Sequence, residues 1–449
     1  MQKKLTEGNI TLNILGFMFP ILIGNGLQRV YTLVDTMMVG RLLGTAQLAA
    51  VGSSSVVANL FIDLCSTFTS GFAIVIAQYY GANDDKRMKK ALASTYVLSL
   101  TIVALLTALG FLFTNPILNW TQVPSEIIPL AKQYLAIMIG GLFFTLIYNM
   151  TANILRSFGD STVPLCFLIT AVVLNIVLDY VSIKLLGLGV KGVAGATIVS
   201  QGIAGLSCVL FCLFRRKIMF VSKKDFQPDA AIYKQTISQG AAMALMLSVV
   251  SLSTLILQTG INSLGTTMIA GYMAGRKYLE LFMMLGAAFA MTAANFVSQN
   301  YGARQFQRIK TGVNRMLHLN FIWALMTFAI IYIFGRGIIT SVTGKNADPE
   351  VISSGITYLR IGAVFFIPLA MLCISRSALQ GINHKKTPIF SSIIELTVKV
   401  LAVILFVPKL GFLGICITEP IIWVINGLWL YPAFVRLLKK ETKTFEANQ

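Results

Sequence analysis

Gln78-Tyr79-Tyr80-Gly81-Ala82 returns as Gln299-Asn300-Tyr301-Gly302-Ala303, 221 positions further along the chain. Each copy closes a long apolar run. Leu43-Gly44-Thr45 returns as Leu264-Gly265-Thr266 at the same offset. Gly189 and Gly192 return as Gly411 and Gly414 at 222, and Arg156 returns as Arg376 at 220. Each match is weak alone. Four in the same order at nearly one spacing describe a duplicated unit of about half the chain.

The unit is a set of membrane helices. Of 449 residues, 56% are hydrophobic and 12% are charged, with a mean hydropathy of +0.77; an ordinary soluble domain carries ~25% charged residues. Apolar runs near twenty residues, the length needed to cross a bilayer, recur from end to end. They exclude a soluble enzyme and a disordered chain, and are too long and continuous for barrel strands. Twelve spans are expected, at 12–38, 48–78, 91–114, 129–153, 162–184, 192–214, 236–262, 266–298, 316–339, 351–378, 388–408 and 412–435. The fold class is all-α polytopic, two pseudo-symmetric six-helix bundles. Six is even, so the halves share an orientation and should be related by a pseudo-two-fold along the membrane normal. The expected parts are an N-lobe at 1–214, a cytoplasmic linker at 215–235 and a C-lobe at 236–449.

The charge of +19 fits this reading. With both termini cytoplasmic, the inner segments hold 24 Lys and Arg and the outer segments 7. Basic residues accumulate on the cytoplasmic side of membrane proteins, so the excess reports topology and calls for no nucleic acid. The expected location is the cell (inner) membrane. Residues 1–11 are polar, and the run after them is too long for a cleavable signal.

The six cysteines form no CxxC, and there are two histidines. No HExxH, GxSxG or zinc spacing exists, nor a phosphate-binding loop. The chain is therefore not read as an enzyme and calls for no cofactor. Duplicated bundles without an ATP motif describe a secondary transporter with its substrate path between the halves.

The charges inside the spans refine this. An ionisable group at membrane depth costs ~2.5–3.5 kcal/mol on insertion scales and usually serves function. Asp35 lies near the outer end of the first helix. Asn175 and Asp179 share a face of the fifth, one turn apart, and Thr197 begins the sixth. All four fall at similar depth in the outer half, and suit a proton or Na⁺. Two carboxylates in a poorly hydrated site titrate as one coupled system. The repeat maps Asp35 to Ile256, Asn175 to Thr397 and Asp179 to Leu401, so the second half lacks the acids. Pro20 offers the first helix a place to bend. Arg276 with Glu280, and Glu395 with Lys399, are spaced one turn apart and read as self-neutralising pairs. Asp63 and Glu419, the latter without a sequence-local partner, are candidates for the substrate path. So are Met243, Met246, Met283 and Met284, because methionine suits adaptable apolar surfaces.

Several of these residues together resemble the multidrug and toxic compound extrusion (MATE) family. They are Pro20, the run from Leu33 through Asp35 to Gly44, Leu48-Ala49-Ala50-Val51-Gly52, the twin QxYGA-type ends, Arg156-Ser157-Phe158-Gly159-Asp160, and Asn175 to Asp179. The likeness spans the whole chain. It implies a monomeric twelve-helix antiporter that expels amphipathic drugs and organic cations in exchange for H⁺ or Na⁺ by rocker-switch alternating access, amid membrane lipids. The DinF-like branch's N-lobe ion site resembles Asp35, Asn175, Asp179 and Thr197. The NorM-like branch uses acids in helices 7 and 10, and this chain has none in 236–262 or 351–378. The alternative is a lipid-linked precursor flippase of the same superfamily.

Overall fold

The computed structural model describes residues 4–120, 123–215, 219–344 and 347–447. Lys3, Arg216, Lys217 and Lys345, counted in the charge asymmetry, lie outside these residues. The described chain is helical, with no strand. In order the helices are α1 Ile10–Leu42, α2 Thr45–Gly81, α3 Asp85–Trp120, α4 Ile128–Gly140, α5 Leu142–Ser157, α6 Thr162–Tyr180, α7 Gly189–Arg215, α8 Ala230–Asn262, α9 Thr266–Gly302, α10 Phe306–Thr343, α11 Pro349–Val364, α12 Phe366–Gly381, α13 Lys386–Leu401, the single turn α14 Val407–Leu410, and α15 Phe412–Ala447. Ten spans are long and apolar enough to cross a bilayer among the described residues, α13 and α14 counting as one. Two bent pairs, α4 with α5 at 45° and α11 with α12 at 57°, bring the number to twelve when each pair is one span. All-helical construction follows from the solvent, since lipid offers the backbone no hydrogen-bond partner.

The duplication is written in the backbone. The bent spans start 221 residues apart, at Ile128 and Pro349. Single π-helical turns follow α6 at Val181–Leu185 and α13 at Ala402–Phe406, again 221 apart. Left-handed residues recur at Asn83 and Arg304, at Gly44 and Gly265, and at Gly189 and Gly411. One sequence match needs correction. Arg156 is the penultimate residue of α5, whereas Arg376 lies five residues before the end of α12, so helix ends pair Arg156 with Gln380. The π turns likewise set Asp179 against Val400 rather than Leu401, and the position stays apolar.

The chain divides into two compact units. The first is Met1–Lys4 with Phe19–Ala244, and the second is Leu5–Met18 with Leu245–Gln449. α1 thus changes membership between Met18 and Phe19, beside Pro20, through which the helix runs unbroken. α8 changes between Ala244 and Leu245.

Small residues let the helices of each unit approach closely. A Cβ on Gly71 of α2 would sit 2.6 Å from the Cα of Gly240 on α8. At the α4–α5 break, a Cβ on Gly141 would sit 2.4 Å from Ile198 of α7. In the second unit, Gly271 and Gly275 of α9 pack against Ser354 and Tyr358 of α11.

Candidate functional site

The first unit encloses a cavity of about 350 Å³ bordered by α1, α2, the α4–α5 pair, α6 and α7. Asp35, Asp63, Asn175 and Thr197 all line it. Asp35 lies seven residues before the end of α1, near the α1–α2 turn. Asn175 and Asp179 stack one turn apart on α6, each 1% exposed. Thr197 Oγ1 accepts from Asn175 Nδ2 at 3.4 Å and lies 3.1 Å from the Tyr31 hydroxyl. Asp179 is not among the residues that line the cavity, and its carboxyl neighbours that of Asp35.

The hydrogen bonding of this cluster is incomplete in one direction. Both oxygens of Asp179, Oδ1 of Asp35 and Oδ1 of Asn175 are buried and meet no donor among the described residues. Gln201 Oε1, one turn beyond Thr197 on the cavity wall, is in the same state. Buried oxygens are almost always satisfied, and an unsatisfied carboxylate costs more than a neutral acceptor. A cluster of acceptors without donors asks for a proton or a hard cation. Oxygen donors of this kind suit hard cations, so the set fits Na⁺ as well as H⁺. No group of three or more His, Cys, Asp or Glu among the described residues is arranged to hold a metal ion, so the amide and hydroxyl oxygens are essential to any such site.

Reasoning from the sequence missed several wall residues. Tyr31 and Tyr134 bring phenol rings into the cavity, and Asn59, Asn149 and Gln201 bring amides. Asn59 and Gln201 could have been found by extending the one-turn spacing from Asp63 on α2 and from Thr197 on α7, whereas Asn149 of α5 lies on neither helix. Tyr134 carried no such signal.

The second unit treats its charges differently. Arg276 Nε donates to Glu280 Oε1 at 3.0 Å, and its Nη1 donates to the Tyr272 hydroxyl. The same Nη1 lies 3.7 Å from Glu419 Oε1, while Tyr358 donates to Glu419 Oε2 at 3.2 Å. Glu419, without a partner in local sequence, is therefore paired across helices. Lys399, 2% exposed, bonds Glu395 at 3.0 Å and Thr254 at 3.3 Å. Arg376 reaches the same Glu395 at 3.5 Å and donates to Ser391 Oγ at 2.6 Å. The offset of 221 sets Ser55 and Asn59, on the first cavity's wall, against Arg276 and Glu280. Where the first unit leaves space lined by polar groups, the second places an ion pair.

The methionines are scattered. Met246 is buried with its sulfur accepting from Gln380 Nε2 at 3.3 Å. Met243, Met283 and Met284 are half-buried, and none lines the cavity of the first unit.

The sequence model of the MatE family matches this chain twice, over residues 20–181 and 242–405, one match in each repeat. The chain belongs to the MatE family. A relative from Bacillus subtilis named probable multidrug resistance protein YpnP is 29% identical over 364 residues, covering 80% of each chain. A Shewanella oneidensis relative named FAD transporter is 22% identical, covering 94% of this chain and 93% of its own. A crystal structure titled as MATE in the bent conformation superposes with a TM-score of 0.91 at 23% identity, covering 98% of both chains. This likeness carries the fold. MatE proteins are membrane transporters rather than enzymes, need no cofactor and draw on ion gradients. The relatives support multidrug efflux as the general activity.

Proposed function

We propose that this MatE protein is a secondary antiporter of amphipathic and cationic organic compounds, driven by H⁺ or Na⁺ at Asp35, Asn175, Asp179 and Thr197. The carrying observation is the group of buried oxygens on α1 and α6 that meet no donor. An entering ion satisfies them, and its loss restores a strained acceptor cluster. Cargo and ion then favour different states of the bundle, which is the condition for exchange: a ligand shifts a conformational equilibrium only by its differential affinity. Pro20 lies fifteen residues from Asp35 on the same helix. It removes one backbone hydrogen bond and serves as the hinge of a rocker-switch cycle. The N-lobe is residues 1–214, the linker 215–235 and the C-lobe 236–449. The self-neutralised second unit supports N-lobe coupling, with Asp63, Glu419 and the methionines Met243, Met246, Met283 and Met284 on the cargo path. The asymmetry of basic residues supports both termini lying in the cytoplasm and residence in the inner membrane. The protein works as a monomer among lipids.

Purified protein in liposomes, given a pH gradient or a Na⁺ gradient one at a time, tests the scheme. Uphill dye movement under one gradient supports it. Downhill movement alone under both gradients overturns it.

A further inference from the structure

The cavity of the first unit has two levels, and the proposed ion site uses only one. Asp35 is seven residues before the α1–α2 turn, whereas Asp63 is eighteen residues into α2 beyond it. At 1.5 Å per helical residue, Asp63 lies roughly 16 Å deeper. Asn59 and Ser66 lie about one turn to either side of it on α2, and Thr145, Tyr148 and Asn149 of α5 line the same cavity. Among the described residues no basic side chain lines the cavity. Asp63 is exposed to the cavity and forms no hydrogen bond or ion pair among the described residues.

This carboxylate differs from every other intramembrane acid of the chain. Asp35 and Asp179 neighbour each other. Glu280, Glu395 and Glu419 each hold a basic partner. A lone carboxylate at membrane depth is expensive to keep. The second repeat dispenses with it, because the offset of 221 sets Asp63 against Met284. The cavity volume is that of a small-molecule pocket. Its aromatic rings, Tyr31, Tyr134 and Tyr148, offer faces that attract organic cations.

We propose that Asp63 reads the charge of the cargo: it binds the positive centre of a monovalent organic cation at the deep level, while the shallow level remains available to the coupling ion. This rests on the antiporter reading for its biological meaning, but makes a binding claim of its own. Cations are accepted, neutral analogues of the same shape bind more weakly, and anions are refused, because two levels of carboxylate repel them. A relative named for FAD, an anion, would not be expected to keep an acid at this position.

The test is equilibrium binding to the full-length purified protein without any gradient, so that a failed coupling scheme leaves the result standing. The probes are tetraphenylphosphonium and its neutral relative triphenylphosphine oxide. Asp63→Asn should weaken tetraphenylphosphonium binding at least tenfold and leave triphenylphosphine oxide within about twofold. Asp63→Glu should recover most of the cation affinity. Asp63→Ser provides a second neutral variant if the asparagine variant is poorly folded. Unchanged cation affinity in a folded neutral variant overturns the proposal. So does an equal loss of both probes, which marks Asp63 as structural.

Discussion

Asp179 and Asp35 are neighbouring carboxyls on α6 and α1, and neither oxygen of Asp179 meets a hydrogen-bond donor among the described residues. Two helices distant in sequence thereby bring their acids beside one another rather than beside a base. A salt-bridged pair would be a lock. Two neighbouring acceptors hold together only when something positive lies between them.

Replacing either acid by its amide removes that requirement. Asp35→Asn and Asp179→Asn should each reduce gradient-driven dye efflux at least tenfold while the protein still elutes as a folded species by size exclusion. Wild-type efflux in both variants would remove the ion site.

In the second unit the order of damage should follow charge balance. One carboxylate, that of Glu395, is shared between Lys399 and Arg376. Glu395→Gln leaves the buried Lys399 and the half-buried Arg376 without a counter-ion, and breaking a buried pair costs about 3–5 kcal/mol. Lys399→Met leaves Glu395 with Arg376 and should cost less. Melting temperatures in detergent should rank parent, Lys399→Met, Glu395→Gln from highest to lowest. The reverse order would show that the guanidinium and ammonium are not held by this carboxylate.

Gly71→Ala places a methyl group against the backbone of Gly240. Backbone cannot rotate aside, so the helices must separate, at a cost of about 1–3 kcal/mol. The variant should melt lower than parent, and far lower than Gly52→Ala, whose added carbon meets nothing within 4 Å. Equal melting of the two variants would contradict the packing described.

The loop before α8 carries a pH dependence of its own. Ser222 donates to Asp225 from its backbone and its hydroxyl, holding that carboxyl below the usual carboxylate range. Lys90 does the same for Asp229. A lowered folded-state value stabilises the loop above the ordinary carboxylate pKa, near 4, and the contribution fades as pH falls through the folded value. Proteolytic nicking between 219 and 230, read with an acid-active protease below about pH 4 and with a neutral protease at pH 7, should therefore be fast in acid and slow at neutral pH. Asp225→Asn should be nicked readily at both.

Methionine-to-alanine changes at Met243, Met246, Met283 and Met284 should alter the range of exported dyes more than ion dependence. An unchanged dye profile would take these residues off the cargo path.

Much of this was legible before any coordinates, for identifiable reasons. Hydropathy found the spans because lipid forces long apolar helices. The duplication appeared as repeated letters because turns such as Gly44 and Gly265 need glycine at positive φ. Asp35, Asn175 and Thr197 could be grouped from depth alone, since a helix converts sequence distance into height. Height gives no azimuth. Hence Tyr134, whose wall position depends on how the broken α4–α5 span is turned, escaped notice, as did the pairing of Glu419 with Arg276 from another helix. The breaks at Gly141 and Phe365 were also hidden, because an apolar run reads the same whether straight or bent. Arg156 and Arg376 matched as letters but not as places, since the second repeat reaches its break later.

The π-helical turns after α6 and α13 occupy matching places, yet in the turn just before them α6 carries an acid, Asp179, and α13 a base, Lys399. Their presence in both halves separates the shape of the coil from the chemistry of ions. A turn wound one residue too wide is a helix with slack. Taking up that slack swings the side chains before it around the axis by about 100°. Asp179 stands two residues before such a turn, so a local rewinding suffices to aim or withdraw its carboxyl.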